Sequence, residues 1–282
     1  MKIYVADHAG FCFGVERAIG LVEKTSISSS SVSTLGPIIH NPQVVDNFAK
    51  KGVSVKEDIN KIKKNETVVI RSHGINNELY NMLSKKEIVV VDATCPFVKK
   101  AHESARKLSL DGYTVVVFGE KDHPEIEGIV SYIEGEYFIV TNIKEAEELP
   151  FREKYGFTAQ TTQDDKIFHE IESIIRNKCK SIKIYNTICN ATKLRQKATK
   201  DMAETVDLML VVGGKNSANT TRLYNICKNI CKKTFHIETK DELSVEYFKN
   251  IYNVGITAGA STPDYLIREV IDFIKEVDNA RK

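Results

Sequence analysis

Three cysteines occupy the same place in a repeated pattern. Ile3-Tyr4-Val5-Ala6-Asp7 leads to Cys12, Ile88-Val89-Val90-Val91-Asp92 to Cys95, and Ile182-Lys183-Ile184-Tyr185-Asn186 to Cys189. After each comes a helix-forming stretch that carries cations: Arg17, then Lys99 and Lys100, then Lys193 and Arg195. The cysteines recur about 90 residues apart, as three similar units would place them. A thiol at a strand-to-helix turn faces the positive end of the helix. That favours thiolate, the form that ligates metal or attacks electrophiles. Three thiolates brought to one point suit zinc or an iron–sulfur cluster. Structural zinc usually draws on closely spaced cysteine pairs, and none of these three has such a neighbour. A cubic four-iron cluster with three cysteine ligands leaves one iron open to a substrate oxygen. Spacing alone leaves three buried packing cysteines as the rival explanation.

The other cysteines read differently. Cys227 and Cys231 lie four apart and share one helix face, which favours buried small hydrophobes over half a metal site. Cys179 has no evident partner. Three histidines follow strands: His40 in Ile38-Ile39-His40-Asn41-Pro42, His73 in Arg71-Ser72-His73-Gly74, and His123 in Lys121-Asp122-His123-Pro124. In parallel α/β sheets the carboxyl ends of strands are where ligands bind. Histidines there can ring an anion, although a lone histidine is more often structural. Glu125 stands near a helix start, where position alone predicts an exposed first-turn glutamate. With burial it becomes a general-acid candidate.

Further turns are rich in small polar residues. They are Gly213-Gly214-Lys215-Asn216-Ser217-Ala218-Asn219, Ala258-Gly259-Ala260-Ser261-Thr262-Pro263 and Ala159-Gln160-Thr161-Thr162. Thr262 reads as a helix N-cap with Pro263 at the first helical position. Such turns let backbone N–H groups approach a phosphate. No Walker A or G-x-G-x-x-G sequence is present, so a small phosphorylated ligand fits better than a nucleotide.

These turns need a scaffold of alternating strands and helices. Strands are predicted at residues 3–6, 67–71, 88–91, 114–118, 137–140, 182–185, 208–212 and 253–257, with weaker ones at 32–35, 155–158 and 234–237. Val98, Ala101, Ala105 and Leu108 form one helical face. The alternation argues for an α/β protein with mostly parallel sheets covered by helices. Residues 26–33, six of them serine, read as a flexible surface connection or an edge strand. The chain has 282 residues, 42% apolar and 28% charged, with a net charge of +2. That near-balance gives no electrostatic reason to bind nucleic acid or anionic membrane. Six cysteines are too sparse for a disulfide scaffold, and no uncharged apolar run approaches the ~20 residues of a membrane span. A reducing, cytoplasmic location is the default.

In order along the chain stand Gly10-Phe11-Cys12-Phe13-Gly14-Val15, Ile39-His40-Asn41-Pro42, Ser72-His73-Gly74, Asp92-Ala93-Thr94-Cys95-Pro96, His123-Pro124-Glu125, Gln160-Thr161-Thr162, Cys189-Asn190-Ala191-Thr192, Lys215-Asn216-Ser217-Ala218-Asn219 and Thr257-Ala258-Gly259-Ala260-Ser261. This ordered set resembles the 4-hydroxy-3-methylbut-2-enyl diphosphate reductase family, also called IspH or LytB, over essentially the whole chain. The resemblance implies a trefoil of three α/β units around a central cavity, with units at 14–95, 96–190 and 191–282 plus 1–13. It implies one oxygen-sensitive [4Fe–4S] cluster on Cys12, Cys95 and Cys189, with one open iron to take the substrate hydroxyl. It implies removal of that allylic hydroxyl as water by two electrons and two protons, the last step of the methylerythritol phosphate route to isoprenoids. The products are isopentenyl and dimethylallyl diphosphates.

By the same resemblance His40, His73, Ser217, Asn219 and Ser261 hold the diphosphate. His123 lies by the substrate, Glu125 supplies protons, and Thr161 orients the hydroxyl or a water. The electron donor it implies is ferredoxin or flavodoxin. Some relatives carry a serine where this chain has Ala218, which removes one hydroxyl contact and leaves the backbone N–H. Two rivals stand on the residues alone: a non-redox binding protein for a small phosphorylated ligand, and a zinc hydrolase using the cysteines.

Overall fold

The computed structural model describes residues 1–281. These form twelve strands and ten α-helices, and every strand pairing is parallel. The strands make three four-stranded sheets. The chain opens with β1 (Lys2–Val5), which is set aside by the sheet that follows it. That sheet comprises β2 (Val32–Leu35), β3 (Val53–Lys56), β4 (Thr67–Ile70) and β5 (Val89–Asp92), ordered β3-β2-β4-β5. The next comprises β6 (Thr114–Phe118), β7 (Tyr137–Val140), β8 (Arg152–Ala159) and β9 (Cys179–Ile184), ordered β7-β6-β8-β9. The last takes β10 (Leu208–Val212), β11 (Thr234–Ile237) and β12 (Asn253–Ala258), and β1 completes it in the order β11-β10-β12-β1. All three sheets thus share one order, in which β5, β9 and β1 are equivalent edge strands.

The connecting helices are α1 (Phe13–Ser28), α2 (Pro42–Lys50), α3 (Asn77–Ser84), α4 (Pro96–Leu110), α5 (Pro124–Val130), α6 (Ile143–Glu147), α7 (Asp165–Arg176), α8 (Asn190–Ala203), α9 (Ala218–Lys228) and α10 (Asp264–Asn279). Among the described residues no helix is long and apolar enough to cross a membrane.

By its internal contacts the backbone divides into two compact units. One holds Met1–Glu16, Ile39–Asn47 and the chain from Asn190 onward; the other holds Arg17–Ile38 and Phe48–Cys189. In the first, β10 shows why parallel sheets need helices on both faces. Leu208, Leu210 and Val212 point to a core shared with Leu266, Ile267, Val270 and Ile274 of α10. Met209 and Val211 point the other way, to Ala203, Leu223, Cys227 and Cys231. In the second, β6 alternates likewise. Val116 and Phe118 meet Phe168, Ile171 and Ile175 of α7, while Val115 and Val117 meet Ala101, Ala105 and Leu108 of α4. The helical face expected at Val98, Ala101, Ala105 and Leu108 is buried along α4.

Two expectations of local structure are corrected, and one strand was not foreseen. The serine-rich residues 26–33 are not a flexible connection, because α1 runs through Ser28 and Val32 and Ser33 open β2, an inner strand in which Ser33 is buried. Thr262 is not an N-cap. Its hydroxyl donates to Val212 O (2.9 Å), and Pro263 stands at the cap position of α10. Strand β3 was not expected. It is a four-residue edge strand in which Ser54 and Val55 are exposed, so its alternation is too short to register.

Candidate functional site

Each of Cys12, Cys95 and Cys189 immediately precedes a helix, α1, α4 and α8 respectively, and each is half-buried. Each follows the edge strand of its sheet, β1, β5 or β9. Their backbone N–H groups are held in the same way. Cys12 donates to Ala260 O (3.2 Å), Cys95 to Ser72 O (2.9 Å) and Cys189 to Thr161 O (3.0 Å). Ala260, Ser72 and Thr161 all lie in the turn after the neighbouring strand, β12, β4 and β8. One geometry therefore sets each cysteine beside one polar turn. Helix starts leave orphan N–H donors and a partial positive charge. Cys95 occupies the N-cap position of α4, yet its thiol makes no capping bond.

The remaining cysteines are engaged elsewhere. The Cys179 thiol donates to Ile175 O (3.3 Å), and burial pushes its pKa up. Burial, reinforced by Cys231, pushes the Cys227 thiol up to about 12, so it stays protonated within its apolar core. No disulfide is present among the described residues. Soft thiols set at helix N-termini have the chemistry that iron–sulfur ligation requires.

In the second unit His73, His123 and Thr161 stand in the turns after β4, β6 and β8, and Glu125 is the second residue of α5. The rings of His73 and His123 meet edge to face, with centroids 5.4 Å apart and planes at 83°. His123 caps α5: its Nδ1 accepts the Glu125 N–H (3.1 Å), which assigns the proton of the neutral ring to Nε2. Glu125 is fully buried, contrary to its expected exposure. Its Oε1 accepts the Thr161 N–H (2.6 Å), and its Oε2 accepts the Thr161 hydroxyl (3.1 Å). Thr161 in turn accepts the Cys189 N–H, so a buried acid is joined through one residue to a cysteine. Gln160, whose role the sequence did not disclose, braces this turn. Its Oε1 accepts from Glu120 N–H and Gln163 Nε2, both at 3.1 Å.

In the first unit His40, Ser217, Asn219 and Ser261 gather around the start of α9. Ser261 Oγ donates to His40 O (3.0 Å). Ser217 caps α9, accepting the Thr220 N–H (3.3 Å). The Asn219 side chain is buried, and its Nδ2 has no partner among the described residues. A buried amide donor without an acceptor is costly, which suits a site that receives an anion. A side chain at Gly214 would bring its Cβ to 2.9 Å from His40 O, so the turn stays open only with glycine. Lys215 is drawn outward. Its ammonium pairs with Glu242, which raises its pKa, and its N–H donates to Glu238 Oε1 (2.7 Å). The side chains of Ser217, Asn219 and Ser261 around the start of α9 are thus uncharged hydrogen-bonding groups.

The family profile described as "LytB protein" matches residues 3–275. The chain belongs to the LytB family. A LytB relative from Syntrophotalea carbinolica, named 4-hydroxy-3-methylbut-2-enyl diphosphate reductase, is 49% identical over 98% of this chain and 99% of its own. A solved structure of (E)-4-hydroxy-3-methyl-but-2-enyl diphosphate reductase, described as the terminal enzyme of the non-mevalonate pathway, is 46% identical. It has a TM-score of 0.73 over 98% of this chain and 100% of its own. The E-1-hydroxy-2-methyl-but-2-enyl-4-diphosphate reductase from Plasmodium falciparum is 28% identical with a TM-score of 0.89, covering 97% of this chain and 87% of its own. The LytB match takes in all three sheets and every polar turn described above.

Proposed function

We propose that this chain is a 4-hydroxy-3-methylbut-2-enyl diphosphate reductase, making isopentenyl and dimethylallyl diphosphates in the last step of the methylerythritol phosphate route. Two electrons and two protons are consumed. The allylic C–O bond breaks, one C–H bond forms, and the hydroxyl leaves as water. The observation that carries this reading is the fully buried Glu125, bound at both oxygens by Thr161, whose carbonyl holds the N–H of Cys189.

Cys12, Cys95 and Cys189 would hold one [4Fe–4S] cluster, which when bound would supply electrons and, at the iron left without a thiolate, Lewis acidity. The protein's own groups bind the diphosphate and handle the protons. His40, His73, Ser217, Asn219 and Ser261 donate to the diphosphate, and Ala218 contributes its backbone N–H at the start of α9. His123, with its proton on Nε2, donates to the substrate. Protonated on Oε2, Glu125 reverses its bond to Thr161 Oγ. The threonine hydroxyl is then free to donate to the departing hydroxyl, so acid and relay act as one unit. The electrons come from a small redox protein, ferredoxin or flavodoxin, in the cytoplasm. The three sheets act as three units, 14–95, 96–190 and 191–282 plus 1–13, each supplying one thiol.

The deciding experiment is anaerobic purification with iron and sulfide analysis, followed by turnover of the hydroxy-diphosphate with a reduced donor. About four irons per chain and conversion to both products are expected. A chain that binds diphosphate but takes up no iron after reconstitution would instead be a non-redox binding protein.

A further inference from the structure

The loop from β1 to α1 carries Cys12 on unusual backbone. His8 (φ 63°) and Gly10 (φ 93°) are both left-handed, and for histidine that conformation is strained. The loop's carbonyls converge on one side chain. Arg195 of α8, almost fully buried, donates from Nε to His8 O (2.7 Å) and from Nη2 to Gly10 O (2.8 Å). A planar guanidinium offers two donors at fixed separation, and two loop carbonyls occupy them. The Cys95 loop is clasped likewise. Arg17 of α1 donates from Nη1 to Thr94 O (3.1 Å) and from Nη2 to Asp92 O (3.2 Å). Each arginine lies early in a helix that begins directly after a different cysteine, Cys12 for Arg17 and Cys189 for Arg195. The Cys189 loop is held by different groups, Asn186 donating from Nδ2 to Asp165 Oδ1 (2.9 Å). Asn186 Oδ1 accepts the Ile188 N–H (3.1 Å), and the Thr187 hydroxyl bonds the Ala159 backbone and Thr158 Oγ.

We infer that Arg195 and Arg17 are positioning residues that hold the Cys12 and Cys95 loops in the metal-ligating conformation before the metal arrives. The inference rests on the proposed reading that these cysteines hold a cluster. Preset ligands retain metal better than ligands that must be ordered on binding, and groups that orient ligands commonly govern retention by about 10- to 100-fold. A lysine at either place is a point charge that reaches one carbonyl of the pair.

The test uses reconstituted holoenzyme of the wild type, Arg195→Met, Arg195→Lys, Arg17→Met and Thr199→Val. Thr199 is a buried residue of α8 whose hydroxyl bonds Thr257 Oγ (2.7 Å), so its loss loosens the same helix without touching the clasp. Chelator-driven cluster loss and the electron paramagnetic resonance signal of the reduced cluster are read beside the Tm of each variant. Arg195→Met is expected to lose its cluster about 10- to 100-fold faster than Thr199→Val at similar Tm, with a changed signal, and Arg195→Lys to fall between. Should Arg195→Met fail to fold, Arg195→Lys and Arg17→Met give the same readout. Equal loss rates for the arginine variants and Thr199→Val overturn the inference alone. A wild type that takes up no iron overturns it together with the proposed function.

Discussion

Glu125 and Thr161 are bound to each other twice. The threonine N–H meets one carboxylate oxygen and its hydroxyl meets the other, with both residues buried. The backbone bond fixes where the carboxylate sits, while the hydroxyl bond can reverse when the acid takes up a proton. Glu125→Gln keeps the shape and the acceptor for Thr161 N–H but has no proton to give. It is expected to retain iron and lose about 10²- to 10⁴-fold in turnover, measured under anaerobic steady state. Near-normal turnover would remove Glu125 from the proton path.

Thr161→Val separates the relay from the scaffold. The backbone bonds to Glu125 and Cys189 survive the substitution, and only the hydroxyl is lost. Iron content should match the wild type while turnover falls by about tenfold or more, with Thr161→Ser restoring much of it. Iron loss in Thr161→Val would mean that the hydroxyl serves the fold.

The six cysteines should divide cleanly. Serine at Cys12, Cys95 or Cys189 is expected to lower iron and sulfide per chain sharply. Cys227→Ser should leave iron unchanged and cost about 1–3 kcal/mol of stability, because it puts a hydroxyl into an apolar core. Iron analysis beside urea denaturation distinguishes the two groups.

Asn219→Ala removes a buried donor that has no partner among the described residues, so the fold gives up little. The expected effect is on substrate: KM rises about tenfold while Tm moves by only a degree or two. A large fall in Tm with unchanged KM would assign Asn219 to the scaffold.

His102 gives the fold an acid limit. It is buried in α4 and stacked on Tyr132 at 4.8 Å. Burial lowers its pKa to about 4, with Asp92 opposing and Lys99 reinforcing. An unfolded chain takes up this proton near pH 6.5. Its stabilising contribution is therefore full above pH 6.5 and declines as pH falls toward 4, by at most ~1.4 kcal/mol per pH unit. Urea midpoints at pH 7.5, 6 and 5 should show His102→Gln with the flatter profile. Parallel profiles for variant and wild type would refute this.

Much of the scaffold is legible in the residues because many of its strands are short apolar runs between turns. β6, β7, β10 and β11 begin and end where those runs do. The weak signals are physical as well. β3 has four residues and one buried position, and the serines at the end of α1 bond their hydroxyls back to Glu23 O and Lys24 O, contacts that exist only once the helix has formed. The placing of His40, His73, His123 and Thr161 in strand-end turns could be read locally. Their bonding could not. The burial of Glu125 depends on Thr161, a residue 36 positions away, and the grip on Cys12 depends on Arg195, 187 positions from His8. The signal for the arginines was present as cations recurring after each cysteine, but a cation early in a helix is usually solvated, and only the folded loop gives it two carbonyls to meet.

Because β1 is paired with β12, the order of synthesis runs against the order of assembly. Strand β1 has no neighbour in its sheet until Ala258 has left the ribosome, and the Cys12 N–H has no acceptor until Ala260 has. The sheet of β2–β5 and the sheet of β6–β9 are complete long before then, and domains usually fold as they emerge. Cys12 is thus the first of the three thiols to be translated and the last to be fixed, so with the proposed ligand set iron delivery belongs after translation has passed β12.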